Sequence, residues 1–221
     1  MRVAALYDVH AMPWALEAVL AEVDADAIVF GGDYLYGPYP RETVAQIRSL
    51  NAHVVRGNCE DLAEEWEREG LAPGDLEWLQ SLPLSVVVDG VLYCHAAPGN
   101  NTPITTAATP DEVVASTFAG HTGTIVIGHT HHQFDRRVGD LRIVNAGSVG
   151  MAYEGEVAAY WTLVEDGEPR PMRTPFDVER AVRETRLSSW PHAAEFVAEN
   201  LLEAVSREQA IAELEERRAR A

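Results

Sequence analysis

Five short segments hold the residues whose types and spacing suit chemistry: Asp8-Val9-His10, Gly31-Gly32-Asp33, Gly57-Asn58, Cys94-His95 and Gly128-His129-Thr130-His131. Together they offer four imidazoles, two carboxylates and one amide. Nitrogen and oxygen donors of these kinds suit Mn, Fe, Co, Ni and Zn alike. The set is larger than one ion requires, so it reads as a two-metal site. Each segment alone has a plainer account. Asp8 could cap a following helix, Gly31-Gly32 could be turn glycines, Asn58 a turn residue, and His95 a satisfied core histidine. It is their joint occurrence, each just after an apolar run, that points to a metal centre.

The elements that must position these donors alternate from the start. Residues 2–7 read as a buried strand and 12–23 as an amphipathic helix with Pro13 in its first turn. Strands are expected at 26–30 and 52–56, with a helix at 41–50 between them. Helical signals follow at 60–69 and 75–81, then a hairpin over 85–98 turning at Asp89-Gly90. Residues 110–119 read as a helix, 123–128 as a strand, and 133–164 as several antiparallel strands turning at Gly139-Asp140 and Gly147. From Phe176 onward the pattern is helical, interrupted at Trp190-Pro191. A βαβαβ opening with later hairpins implies mixed sheets. In open α/β sheets, ligands bind beyond the carboxyl ends of the strands, where all seven donors fall.

Composition narrows the function classes. The 221 residues are 47% hydrophobic, enough for one large domain with a helical appendage. The expected division is a main domain over 1–175 and a helical extension over 176–221. No run of 18 apolar residues occurs, so no membrane span is expected. The N-terminal segment has no h-region, so no signal peptide is expected either. With only Cys59 and Cys94 a disulfide framework is excluded, and a cytoplasmic location is expected. The net charge is −18 and every one of the 17 basic residues is arginine. Lysine chemistry is thereby excluded, and binding to a nucleic-acid polymer is not expected. Bound metals can still reverse the local field for a phosphoanion.

The ordered motifs resemble the calcineurin-like metallophosphoesterases, whose pattern is D-x-H, G-D, G-N-H-[DE], a later H and G-H-x-H. They look most like the small bacterial and archaeal phosphodiesterase branch, which often carries G-N-C-[DE], as Gly57-Asn58-Cys59-Glu60 does here. The resemblance spans about residues 1–165. It implies an α/β fold, a four-layer αββα sandwich of two mixed sheets flanked by helices, with a C-terminal helical extension. It also implies two divalent ions, manganese favoured: one held by Asp8, His10, Asp33 and His131, the other by Asp33, Asn58, His95 and His129. Asp33 would bridge them and offset their mutual repulsion, and a hydroxide generated between them would attack phosphorus. Two residues apart on a strand-like end, His129 and His131 are expected to face one side. Asn58, His95 and Cys59 are the expected catalytic residues.

Two departures from the family pattern narrow the expectation. Cys59 stands where phosphomonoesterases and protein phosphatases carry a histidine that protonates the leaving group, and a thiol is a poor substitute. Protein phosphatases also carry G-D-x-x-D-R-G, whereas this chain reads Gly32-Asp33-Tyr34-Leu35-Tyr36-Gly37. Both point to a phosphodiesterase acting on a small phosphodiester or nucleotide. The alternatives are a phosphomonoesterase or dinucleoside polyphosphate pyrophosphohydrolase on the same site, and a non-catalytic protein-binding scaffold, which would not need every ligand position filled. Tyr34, Tyr36, Arg56 and Asn100 are the expected substrate contacts, with Tyr39, Trp14 and Asn101 as further candidates. Asn145 to Gly150 reads as structural, Gly147 and Gly150 allowing close backbone approach. His53, His121, His132 and His192 match no motif position. In the tail, Phe196, Val197, Leu201, Leu202 and Val205 form one helical stripe. It could dock on the core, cover the cleft as a lid, or pair two copies of the chain. The charged end, Arg207–Ala221, is expected to fray.

Overall fold

A computed structural model of the chain describes residues 1–220. From the N-terminus it runs β1 (Arg2–Leu6), α1 (Pro13–Glu22), β2 (Ala27–Phe30), α2 (Pro40–Ser49), β3 (His53–Val54), α3 (Glu65–Gly70) and α4 (Asp75–Ser81). Next come β4 (Ser85–Val88), β5 (Val91–Cys94), α5 (Asp111–Thr117), β6 (Gly123–Ile127), β7 (Phe134–Val138) and β8 (Leu141–Asn145). The chain closes with β9 (Ala159–Glu165), β10 (Glu168–Thr174), α6 (Val178–Leu187), α7 (Ala193–Phe196), a π-helical turn over Val197–Leu202, and α8 (Arg207–Arg220). Among the described residues no helix is long and apolar enough to cross a membrane.

Two five-stranded mixed sheets result, ordered β10-β9-β1-β2-β3 and β4-β5-β6-β8-β7. β1, β2 and β3 are parallel, as are β5, β6 and β8, while β9, β10, β4 and β7 run against their neighbours. The alternation of strand side chains builds the layers. Val3, Ala5 and Tyr7 meet Val126 and Val144 between the sheets, whereas Ala4 and Leu6 face the layer of α1, α2 and α6. On the far sheet, Ile125 and Ile127 turn outward onto Val114 and Phe118 beside α5. Strands buried on both faces explain the unbroken apolar runs of β1 and β6. The four-layer αββα sandwich expected from the motifs is the observed fold.

Several details differ from the sequence reading. β8, expected within an antiparallel series, lies parallel to β6, because periodicity reports burial but not which strand is the neighbour. β3 has only two residues: Val55 N–H still reaches the Phe30 carbonyl, but Arg56 N–H turns to Pro83. Residues 60–64 form turns rather than the start of a helix, because Glu60 is drawn into the core. Residues 168–174 form a strand that the alternation of charge and proline hid. The charged C-terminal segment expected to fray is an ordered helix through Arg220. Ala210 and Leu214 form its buried face, and Glu215 accepts hydrogen bonds from Thr106 and Thr109.

Candidate metal centre

Every loop that carries a donor leaves the carboxyl end of a strand. Asp8 and His10 follow β1, Asp33 follows β2, Asn58 follows β3, His95 follows β5, and His129 and His131 follow β6. The donors do not converge through strand alternation. Asp8, His10, Asp33, His129 and His131 all have left-handed backbones, with φ of 53, 48, 56, 67 and 57°. Non-glycine residues rarely adopt that region, and its concentration at one site is a mark of function. The expectation that His129 and His131 share the face of an extended segment is thereby corrected, since β6 stops at Ile127.

The loops are braced against each other. Asp8 N–H bonds the Gly32 carbonyl, His10 N–H the Asp33 carbonyl, and Gly128 N–H the His95 carbonyl. The Asp8 carbonyl accepts from the Ser148 hydroxyl and from Gly150 N–H. A side chain at Gly128 would run into the Asp8 carboxylate, and one at Gly150 into the Val9 carbonyl. The reading of residues 145–150 as structural fits these contacts, with Asn145 also bonding the Gly128 carbonyl at 2.6 Å.

Within this frame the donors fall into two groups that share Asp33. Asp8, His10, Asp33 and His131 form one, and Asp33, His95 and His129 the other, with ligand atoms in each group within 4.8 Å of one another. Asn58 joins the second, its Oδ1 lying 3.0 Å from His95 Nε2. Imidazole nitrogens face each other at 3.1 Å between His10 and His131 and at 3.2 Å between His95 and His129. His10 Nδ1 and His95 Nδ1 lie on the carbonyls of Leu35 and Gly31 at 3.2 and 2.9 Å, which turns each Nε2 into the site. Burial, followed by the neighbouring imidazole, lowers both His10 and His129 to about 4, leaving their lone pairs free for a metal. Burial would lower His95 too, but Asp33 and Asp8 push it up to about 10. Burial likewise opposes ionisation of Asp33, yet His95, His10 and His129 hold its carboxyl well below the usual range. Asp8 Oδ1 and His131 Nδ1 are buried without a hydrogen-bond partner. Paired lone-pair donors, two carboxylates and orphaned polar atoms fit two divalent cations.

Glu60 is the residue the motif reading passed over. It is fully buried, and its carboxylate accepts N–H groups from Gly57 and Tyr34, both at 2.7 Å, and from Asp33 at 3.1 Å. One side chain thus ties the Asp33 loop to the Gly57-Asn58 loop. Asn101 adds a second tie, donating to the Gly57 carbonyl at 2.7 Å and to Asp61. The motif position of Glu60 was visible, but its burial was not.

The expected substrate contacts divide. Tyr36 and Cys59 line a cavity of about 580 Å³ that opens over His10, Asp33, His129 and His131. Tyr34 does not reach it: its side chain is a core member whose hydroxyl bonds the carbonyls of Phe30 and Val55. Arg56 turns away to the Gln80 carbonyl and lies 3.5 Å from Asp61. Asn100 folds back on Thr102, and Trp14 and Tyr39 pack on each other outside the site. The tail supplies what the motifs did not. Phe196, Val197 and Leu201 dock on the core while Leu202 stays exposed, and Phe196, Val205, Leu214 and Arg217 help roof the cavity. His192 is there as well, 3.1 Å from the Glu64 carboxylate. Tyr153 stacks on His131 at 4.9 Å between ring centres.

Comparison with known proteins agrees with this geometry. A metallophosphoesterase from Sphaerobacter thermophilus is 25% identical and superposes with a TM-score of 0.73, over 87% of this chain and 96% of that one. A hypothetical protein from Pyrococcus horikoshii OT3, 18% identical, shares the fold with a TM-score of 0.74 over 90% of this chain and 98% of its own. No curated protein matches the chain. The model of the calcineurin-like phosphoesterase superfamily domain matches residues 1–167, the span that contains both sheets' ligand loops, and the chain belongs to that superfamily.

Proposed function

We propose that the chain is a dinuclear phosphodiesterase that hydrolyses a small phosphodiester or nucleotide. The observation that carries this reading is the pairing of a complete donor set with a neutral thiol where an imidazole acid would stand. Asp8, His10, Asp33 and His131 would hold one divalent cation, and Asp33, Asn58, His95 and His129 the other, with manganese the favoured ion. Such cations supply Lewis-acid polarisation of the phosphoryl group and a nucleophile from water at neutral pH. Asp33 places one carboxylate between the two groups and offsets the charge of both.

Cys59 carries the choice between diester and monoester. Burial first, then Asp33 and Glu60, push its thiol well above the usual range. It therefore stays protonated, uncharged and weakly acidic, and cannot deliver a proton to a basic leaving group. Esters with weakly basic leaving groups need no such proton. Tyr36, Phe196 and Leu62 border the cavity and offer apolar surface to an ester group. Val205, Leu214 and Arg217 of the C-terminal extension add to that wall. The test is a rate comparison on metal-stripped protein given Mn²⁺, Ni²⁺, Mg²⁺ or Zn²⁺ in turn, with a bis-aryl phosphodiester and the matching aryl monoester. Faster diester turnover is expected; a preference for the monoester would overturn the reading.

A further inference from the structure

Apart from the metal-donor residues, the charged groups lining the cavity are predominantly acidic. Glu64, Glu67, Glu195, Glu199 and Glu213 all line it, against Arg217 and His192, and His192 is already bonded to Glu64. Aromatic faces stand among these carboxylates: Tyr36 in contact with Trp190 and His192, Phe196 beside them, and Tyr153 nearer Glu213. Tyr36 itself lines the cavity together with Glu64 and Glu195. On the floor, two buried donor atoms keep lone pairs that a cation would satisfy, and such a cation would in turn hold an ester's phosphate. His131, only 4% exposed, lines the cavity with Nδ1 unpartnered, and Asp8 Oδ1 is buried without a partner as well.

A polyphosphate extending from the metal ligands toward this wall would set each further phosphate against carboxylates, and like charges placed together act as rejection. A cation in the same place meets both opposite charge and aromatic faces, the combination that recognises ammonium groups. Glu195 and Glu199 are solvent-exposed, so the field they contribute is one that salt screens.

We propose that the cavity selects phosphodiesters whose alcohol carries a quaternary or protonated amine, seating the ammonium at Tyr36 between Glu64, Glu195 and Glu199 and excluding polyphosphates. The inference rests on the phosphodiesterase reading and names its substrate class.

The test uses two esters with one leaving group: p-nitrophenyl phosphocholine and its uncharged carbon isostere, p-nitrophenyl 3,3-dimethylbutyl phosphate. With the manganese-loaded protein at low ionic strength, kcat/KM should favour the choline ester by about tenfold, the factor that 1.4 kcal/mol gives. The ratio should fall toward one in Glu195→Gln/Glu199→Gln and at high salt. Equal kcat/KM for the two esters would overturn the proposal and leave the diesterase reading standing. Faster turnover of diadenosine tetraphosphate than of the choline ester would overturn it too. If neither aryl ester is cleaved, the diesterase reading fails, and calorimetric titration of choline into metal-stripped protein decides the wall on its own. Choline binding weakened several-fold in the double variant supports the cation site; no binding, or binding unchanged in that variant, refutes it.

Discussion

Replacing Glu60 by glutamine asks whether one buried carboxylate holds the two metal loops together. In the wild type, Oε2 accepts from Gly57 and Asp33, and Oε1 accepts from Tyr34 at 2.7 Å and from Leu35 at 3.4 Å. The amide of Glu60→Gln keeps one oxygen for one of these pairs and turns an NH₂ group toward the donors of the other. Losing two bonds to a charged acceptor costs about 3–6 kcal/mol. Against this, burial and the Asp33 charge raise Glu60 from 4.5 to about 7, a penalty of about 3 kcal/mol that the neutral amide escapes. The net loss of folding stability is therefore small, about 0–3 kcal/mol. The loops, however, lose their shared tie, and groups that orient metal ligands typically cost about 10–100-fold in affinity when changed. Expected for Glu60→Gln is a melting temperature within several degrees of wild type in chelator, with manganese affinity by calorimetry reduced about 10–100-fold. Wild-type manganese affinity in a folded Glu60→Gln protein would refute the bracing argument.

Three further outcomes follow from the same geometry. Because Asp33 belongs to both donor groups, Asp33→Ala should lose both ions while His131→Ala mainly weakens one; elemental analysis finding two metals in Asp33→Ala would contradict the sharing. Cys59→His should raise monoesterase relative to diesterase turnover by about tenfold, 1.4 kcal/mol in barrier terms; an unchanged ratio would show that the missing imidazole does not set the preference. His132 is buried, with Nδ1 on the Thr130 carbonyl at 2.9 Å and Nε2 accepting from Ala107 N–H at 3.3 Å, and burial lowers it from 6.5 to about 4. A lowered histidine contributes stability that is full above pH 6.5 and lost as the pH falls toward 4, about 3 kcal/mol here. In chemical denaturation across that window, His132→Gln should therefore lose less stability than wild type; parallel curves would refute the assignment.

The convergence of the seven candidate donors was legible because each sits in a short motif directly after an apolar strand, and strand ends on one edge of a sheet must meet. How the donors meet was not legible. Side-chain alternation predicts that His129 and His131 share a face, and propensity argues against positive φ at Asp8, His10 or Asp33. Contacts distant in sequence override both rules, through Ser148 on the Asp8 carbonyl at 2.8 Å and Cys59 N–H on Asp33 Oδ1 at 2.9 Å. The roof was hidden for a different reason. The stripe of Phe196, Val197 and Leu201 announces a buried face but not what covers it. α8 has only Ala210 and Leu214 to bury, and charge dominates the rest. It is held by polar ties that no periodicity encodes: Glu215 to Thr106 and Thr109, and Arg207 to Glu154.

The same conflict between local rule and tertiary demand explains why the site takes this form. Five donor residues in left-handed backbone cost about 1–3 kcal/mol each, and two imidazole pairs hold their nitrogens face to face. Nothing in the local sequence offsets that expense, so the bracing must come from rigid surroundings: glycines where a side chain would strike a ligand, buried Glu60, and the Asn145–Gly150 segment folded under the Asp8 loop. A divalent cation would satisfy the facing lone pairs, the orphaned Asp8 oxygen and the crowded carboxylates together. Cation binding and folding stability in this chain would then be one coupled equilibrium, a bound ion adding stability with the logarithm of its concentration. The acidic lining contributed by Glu64, Glu67 and the tail lies outside the donor set, so selection of the ester group would fall to residues other than the metal donors.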